Sequence, residues 1–420
     1  MSIKDMAFSV YSFFFNLGAG FGVKKNRVAL VSMHNASFRD GLGEVLRVLE
    51  DEHKECEIIK LDRKEMFDKK TALKALTVDA FRLGRSRLIF LNDNFMPLAK
   101  THPSKNTKII QLWHGQGAFK KFGLSIEQPK KIRERERAAN ERLSCVVCSS
   151  KGVGGIYAEA FGVDEQRVIT TGTPNEDYYF HPESLSSARE HVYERYPELK
   201  DKFVILYAPT FRDGAGDSEI LNNFNAGEVR AAVDKWLDSL ATADCRPSQG
   251  ESGDTSKVGK SIVVTRLHPQ VHEALSGDGL KKGSCESGQK NEAQSDKDMH
   301  NKKAEVNATD YESVNELCLV ADLLITDYSS VCMDFALIDK PTVFYAFDLD
   351  SYKDSRNFYF DYLSYVPGPV ARDRDELLRI LANGEFLSDE STEKLKKFKA
   401  FNFDVPDGNA TKRLLSCLEF

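Results

Sequence analysis

Short, wholly apolar runs separated by longer amphipathic stretches recur along the chain from Arg27 onward. Arg27–Met33 (RVALVSM), Glu57–Leu61 (EIIKL), Arg87–Leu91 (RLIFL), Lys108–Trp113 (KIIQLW), Cys145–Cys148 and Val168–Thr171 (VITT) read as six strands. Gly41–Glu52 and Met66–Phe81 carry apolar residues at helical spacing. Strands alternating with helices predict parallel βαβ units. The pattern then restarts, with strands at Phe203–Ala208, Ser261–Leu267, Leu323–Thr326 and Pro341–Tyr345. Helices are predicted at Ala226–Leu240, Val314–Val320 and Ser330–Leu337. Two doubly wound α/β halves meeting near residue 185 are the simplest architecture, and a cleft between them is the default ligand site.

Two stretches depart from the pattern. Ala243–Lys260 and Ser276–Ala308 are rich in Ser, Gly, Lys, Asp, Asn and Gln with few aliphatics. Such segments bury too little apolar area to offset ordering, so they read as flexible insertions flanking the Ser261 strand. The N-terminal run Ala7–Gly22 (AFSVYSFFFNLGAGFG) has no charge and is followed by Lys24, Lys25 and Arg27. It is short for a bilayer span, and most of its charge follows the apolar run rather than preceding it as in a secretory signal. Two readings stand: a segment lying in a membrane interface, or a buried helix leading into the first strand. The organisation predicted is an N-terminal apolar segment (1–25), one Rossmann-like domain (26–185) and a second (186–420) carrying the insertions near 243–260 and 276–308.

A length of 420 residues suits two or three domains, and an apolar share of 41% is ordinary for a globular chain. The net charge of −6 gives no footprint for nucleic acid, although Lys and Arg cluster locally. Cys145 and Cys148 form a CxxC within an apolar run. With no second pair at zinc spacing, reduced core thiols are expected and no metal site.

Four polar loops each follow an apolar strand. In Leu323–Asp334 (LLITDYSSVCMD) a strand ends in Thr326-Asp327-Tyr328-Ser329-Ser330 and a helix begins. Ser330 is a candidate N-cap, and the hydroxyls of Ser329 and Ser330 could hold a phosphate; alternatively they only cap the helix. Trp113-His114-Gly115-Gln116-Gly117, with Lys120 and Lys121 nearby, sets a histidine at a strand end where it could take a proton near neutral pH, or serve as a hydrogen-bonded turn residue. Arg266-Leu267-His268-Pro269 places Arg266 and His268 on one side of a strand end, suited to a diphosphate or merely an exposed terminus. Tyr207-Ala208-Pro209-Thr210-Phe211-Arg212 offers Thr210 and Arg212 as anion contacts. Parallel strands bring such loops to one sheet edge. There is no Walker loop, no GxGxxG and no serine-nucleophile elbow.

Together these segments resemble the CDP-glycerol glycerophosphotransferase family of teichoic acid synthesis, the TagB/TagF-like enzymes. The matching segments are WHGQGAFKKFG (Trp113–Gly123), TGTPNEDYYF (Thr171–Phe180), YAPTFRD (Tyr207–Asp213), RLHP (Arg266–Pro269), Ala321–Tyr352, and FYFDY (Phe358–Tyr362) with VPGP (Val366–Pro369). The resemblance implies a GT-B-like fold with two Rossmann-like domains facing across a cleft that holds the donor diphosphate. It implies attack by an acceptor hydroxyl on the donor's β-phosphorus with CMP leaving, no cofactor, and peripheral attachment to the cytoplasmic face of the cell membrane. The partners implied are CDP-glycerol or CDP-ribitol, a lipid-linked polymer acceptor and the membrane surface. By position, His114 matches the family's base and His268 a diphosphate-stabilising histidine. Ser329 and Ser330 match its phosphate loop, and Asp334 a ligand for polyol hydroxyls. Gly115, Lys120, Lys121, Thr210, Arg212, Arg266, Thr326 and Asp327 complete the expected substrate-binding set. Gln116 stands where the family usually has Thr, and Asn175 where it usually has Arg; Ser355-Arg356-Asn357 replaces an arginine–glycine pair. Rival readings are a ribitolphosphotransferase, a GT-B glycosyltransferase using a nucleotide sugar, and a non-catalytic polymer-binding protein.

Overall fold

The computed structural model describes residues 3–34, 38–210, 212, 220, 222–242, 261–267, 305–355 and 357–420. The chain forms two compact units: residues 1–181, 357–359 and 400–420 make the first, and 182–356 with 360–399 the second.

The first unit holds a six-stranded parallel sheet of β1 (Lys24–Ser32), β2 (Glu57–Asp62), β3 (Ser86–Leu91), β4 (Lys108–Gln111), β5 (Cys145–Val147) and β6 (Val168–Ile169). Their order across the sheet is β2-β1-β3-β4-β5-β6. The second unit holds β7 (Val204–Tyr207), β8 (Ile262–Thr265), β9 (Glu305–Asn307), β10 (Leu323–Thr326), β11 (Thr342–Tyr345) and β12 (Val370–Ala371), also parallel. Their order is β12-β11-β10-β7-β8-β9. The doubly wound α/β class expected from the sequence is the one found, and the ten anticipated strands fall within a few residues of their predicted bounds.

Strand order has a direct consequence for function. In each sheet the chain builds outward in one direction from a central strand and then in the other. The reversal falls between β1 and β3 in the first sheet, and between β7 and β10 in the second. At such a switch point the connecting helices leave toward opposite faces, and the carboxyl ends of the two strands stay uncovered.

Both cores explain the apolar runs. Val28, Leu30, Leu88, Phe90 and Ile110 are buried beneath Leu42, Val45, Val48 and Leu49 of helix Asp40–Glu52. Ile205, Tyr207, Val263, Ile325 and Val343 pack with Val229, Val233 and Trp236 of helix Ala226–Thr242. Cys145 and Cys148 are buried free thiols, and burial pushes both up to about 12.

Several expectations need correction. The helix expected over Met66–Phe81 is broken. Helix Arg63–Phe67 is set by an Asp62–Glu65 capping box and ends at Asp68, whose backbone is extended; helical structure resumes at Ala72 and runs to Gly84 through a π-turn. The insertion expected over 276–308 gives way at its end to β9, because Val306 turns inward and the segment adds an edge strand in register with β8. The rest of that insertion, and 243–260, lie outside the described residues. The second domain, expected to run to residue 420, gives back 400–420 to the first unit. There the Asp177 carboxylate accepts from the backbone N–H groups of Ala410 and Thr411, both at 2.8 Å, and Leu414, Leu415 and Leu418 enter the first core.

The N-terminal run forms helix Ile3–Gly20. Its inner face is core: Tyr11 and Phe15 are fully buried, and Tyr11 meets Phe95 edge-on. Gly18 and Gly84 let this helix close on the segment Ala80–Gly84, since a Cβ at either would lie about 2 Å from a backbone carbonyl oxygen of the other segment. Asp5 pairs with Lys131 and Arg135 of helix Lys130–Asn140. Met6, Phe13, Leu17 and Phe21 are exposed, at 53%, 63%, 42% and 65%. The buried-helix reading therefore describes one face, and an apolar outer face remains. Burying a side chain the size of Phe is worth about 1.5–3 kcal/mol. A chain starting at Lys24 should then melt well below the full protein and expose core. An unchanged thermal midpoint would show that the helix is not part of the folded unit.

Candidate active site

At the first switch point the loops after β1 and β3 lie side by side, with the loop after β4 next to them. Two amides fasten these loops. Asn92 Oδ1 accepts from the backbone of Met33 (2.9 Å) and His34 (3.3 Å), while its Nδ2 donates to Ser32. Gln111 Oε1 accepts from the backbone of Trp113 (2.9 Å), and its Nε2 donates to the Asp93 carbonyl (3.1 Å).

Trp113 has a φ of +61°, a left-handed backbone that costs a bulky residue roughly 1–3 kcal/mol. Its indole is held by Phe122 and Phe161, with ring centroids at 5.1 and 5.4 Å. This turn delivers His114 against two further groups. The His114 ring stacks on His34 at 3.8 Å with planes 9° apart. Asp93 Oδ2 lies 3.8 Å from His114 Nδ1 and 3.5 Å from His34 Nδ1. Loss of hydration, then the neighbouring His34, push His114 down to about 4; Asp93 and a hydrogen bond to the Asn92 backbone oppose them. Burial pushes Asp93 up, but the hydrogen bond from His34 and the nearby His114 outweigh it and hold the carboxyl below the usual range. These influences favour the neutral imidazole, the form that can accept a proton.

Among the described residues, His34, Asp93 and His114 also form a three-donor group, with ligand atoms within 4.8 Å of one another. Ring lone pairs lie in the ring planes, so two face-to-face imidazoles do not converge on one point. The arrangement suits a shared proton better than a cation.

The rest of this loop is tied down. The Tyr157 hydroxyl donates to the carbonyls of Gly115 and Gly117, Gly117 N–H donates to Ser149, and Ala118 N–H to Asn402. Lys120 bridges Phe358, and Lys121 N–H donates to the Asn357 carbonyl, so two of the motif segments meet here. Both lysine side chains are half-buried.

At the second switch point, Arg212 organises the loops after β7 and β10. Its Nη2 donates to Asp327 (2.8 Å), its Nε to Asp348 (2.7 Å) and its Nη1 to the Thr210 carbonyl (2.8 Å). The guanidinium lies over the rings of Tyr328 and Tyr352, at 4.9 and 4.8 Å. Burial opposes its charge, but the two carboxylates outweigh burial and keep Arg212 firmly cationic. Asp327 also accepts from Thr210 N–H, Tyr362 donates to the Asp327 carbonyl, and Thr326 Oγ1 donates to the Ala208 carbonyl (2.7 Å).

The sequence reading takes Thr326, Asp327 and Arg212 as ligand contacts. The structure buries all three and bonds them to their neighbours, so they shape the loop rather than line it. Ser329 stays half-buried and Ser330 exposed; Asp334 is half-buried on the following helix. Ser330 makes no capping hydrogen bond, because its backbone is already helical; the Ser329 hydroxyl accepts from Val331 N–H instead, at 3.4 Å. Thr210 Oγ1 is buried without a hydrogen-bond partner among the described residues. Arg266 donates to the carbonyls of Ala308 and Tyr311, and His268 lies outside the described residues. His34 and Asp93 escape the motif reading, although each follows an apolar strand as His114 does.

A family model described as CDP-Glycerol:Poly(glycerophosphate) glycerophosphotransferase matches residues 12–282 and 288–419. The teichoic acid poly(ribitol-phosphate) polymerase of Bacillus spizizenii is 31% identical over 373 residues, covering 86% of this chain and 52% of that protein. The chain thus spans about half the length of that relative. The teichoic acid glycerol-phosphate transferase of Staphylococcus aureus is 27% identical over 321 residues, covering 74% of this chain and 71% of that protein. The solved wall teichoic acid polymerase TagF has the same fold, with a TM-score of 0.70 at 18% identity, covering 99% of this chain and 94% of that one. On the family match and the motif-bearing loops at both switch points, the chain belongs to the CDP-glycerol:poly(glycerophosphate) glycerophosphotransferase family.

Proposed function

We propose that this chain transfers glycerol phosphate from CDP-glycerol to a hydroxyl of a teichoic-acid-like polymer, releasing CMP. The observation that carries the reading is His114, an imidazole set beside His34 and Asp93 on a strained, fastened turn at a sheet's switch point. His114 takes the proton of the acceptor hydroxyl as its oxygen attacks the β-phosphorus. The bond from that phosphorus to the bridging oxygen breaks, and CMP departs with the electron pair. Ser329, Ser330 and Thr210 supply hydroxyl donors to the diphosphate on a loop held by Arg212. His268, Arg266, Lys120 and Lys121 add positive or hydrogen-bonding groups, Gly115 gives close backbone access, and Asp334 contacts polyol hydroxyls. Ribitol phosphate is the second reading for the donor, favoured by the 31% identity to a ribitol-phosphate polymerase.

No helix among the described residues is long and apolar enough to cross a membrane. The outer face of helix Ile3–Gly20, with Lys24 and Lys25 just beyond it, supports peripheral attachment to an anionic membrane surface, on the cytoplasmic side where CDP-activated donors are made. Attachment would raise the effective concentration of a lipid-linked acceptor.

Replacing His114 with Ala should lower turnover by about 10² or more while the thermal midpoint stays put; near-normal turnover by a folded variant would remove His114 as the base. Ser330→Ala should weaken CDP-glycerol binding roughly 10- to 150-fold, as loss of a hydrogen bond to a charged group does. Arg212→Ala should instead destabilise the second unit by about 3–5 kcal/mol by stranding buried carboxylates. Calorimetry and denaturant melts separate the two, and interchanged phenotypes would reverse the assignment of lining and supporting residues. Phe13→Glu combined with Leu17→Glu should leave stability nearly unchanged but abolish flotation with anionic vesicles; undiminished flotation would exclude this face.

A further inference from the structure

The stacked pair of histidines around one carboxylate has no counterpart in the motif set. We propose that His34 and Asp93 are positioning residues for His114, with Asp93 orienting its ring and His34 covering one ring face, and that together they set the pH range in which His114 can accept a proton. The proposal rests on the reading of His114 as the base.

The geometry carries it. Three consecutive neighbours in the sheet, β1, β3 and β4, each end in one member of the cluster. Asn92 holds the backbone of His34, Gln111 holds the carbonyl of Asp93, and the same glutamine fastens Trp113. The cluster is thus built by the ends of the sheet and not by chance meeting of mobile side chains. Among the described residues, the charged and titratable groups facing His114 are His34, from the loop after β1, and Asp93, from the loop after β3; the Asn92 backbone and the Trp113 indole also adjoin it. Asp93 is itself fixed by the N–H of Asn94 at 2.6 Å.

Two imidazolium rings in face contact repel, so the pair accepts one proton far more readily than two. Asp93 favours that first proton. His114, the less exposed of the two side chains and flanked by His34, is the one held neutral. The direction of each substitution follows. Removing His34 takes away a repelling partner and opens the ring to water, so His114 protonates at higher pH and activity fails first on the acid side. Replacing Asp93 with Asn takes away the group that stabilises imidazolium, so His114 protonates at lower pH, and its ring loses its orienting partner.

The test uses the full-length protein with ring-labelled histidine, its His114 signal assigned by loss in His114→Gln. Nuclear magnetic resonance should show no His114 titration above pH 5 in the wild type. In His34→Gln a titration should enter the range 5–7, a rise of about one unit or more. The acid limb of kcat at saturating CDP-glycerol should move up with it. In Asp93→Asn His114 should remain untitrated over this range while kcat falls about 10²-fold, as a misplaced catalytic group does; Asp93→Glu should restore part of the loss. A His114 titration unmoved by His34→Gln, or a moved titration with a stationary kcat limb, overturns the proposal. Retained turnover in His114→Ala overturns the base reading itself, and that variant tells the two failures apart.

Discussion

The constraint behind the candidate site is that two parallel sheets each reverse their winding once. At β1/β3 and β7/β10 the chain turns outward in opposite directions, the arrangement in which connecting helices diverge and adjacent strand ends are left open to a ligand. The protein meets this exposure differently in its two units. The first fastens its loops with neutral amides, Asn92 and Gln111, and leaves titratable groups on the outside. The second puts a buried ion network, Arg212 with Asp327 and Asp348, beneath a loop that presents small hydroxyls.

That difference fits the chemistry proposed for each. A base must change protonation, so the groups that hold its loop in place must not; amides serve. A diphosphate site must hold its donors still while charge moves at phosphorus, and a network with fixed charges keeps them oriented without reorganisation. Neither arrangement helps stability. Trp113 is held in a left-handed turn, and desolvating Arg212 with two carboxylates is at best near neutral energetically. The apolar cores under both sheets carry that load.

The strands were legible because each is a continuous aliphatic run buried by its sheet and helices. β9 was not, because one inward Val306 in a polar stretch leaves no periodic signal. Helix Lys130–Asn140 (KKIRERERAAN) was invisible for a related reason: its buried side chains are Glu136, Ala139 and Asn140, and Glu136 is satisfied by Asn94 and Gln128. The return of 400–420 to the first unit depends on Asp177 capping a helix far along the chain, which no local pattern encodes. The candidate loops were legible as polar segments following apolar strands. Which of their side chains are buried in the loop was not, since Arg212 meets its carboxylates 115 and 136 residues away. His34 and Asp93 gain meaning only when β1 and β3 become neighbours.

The most direct measurement follows the phosphorus. The purified full-length chain is incubated with a polyol-phosphate acceptor and, in parallel, CDP-glycerol, CDP-ribitol and a nucleotide sugar, and the products are resolved by phosphorus magnetic resonance and mass spectrometry. The account predicts stoichiometric CMP and a new phosphodiester from a CDP-polyol, with CDP-glycerol the better donor. Release of a nucleoside diphosphate from the nucleotide sugar, with both CDP-polyols left intact, would contradict it.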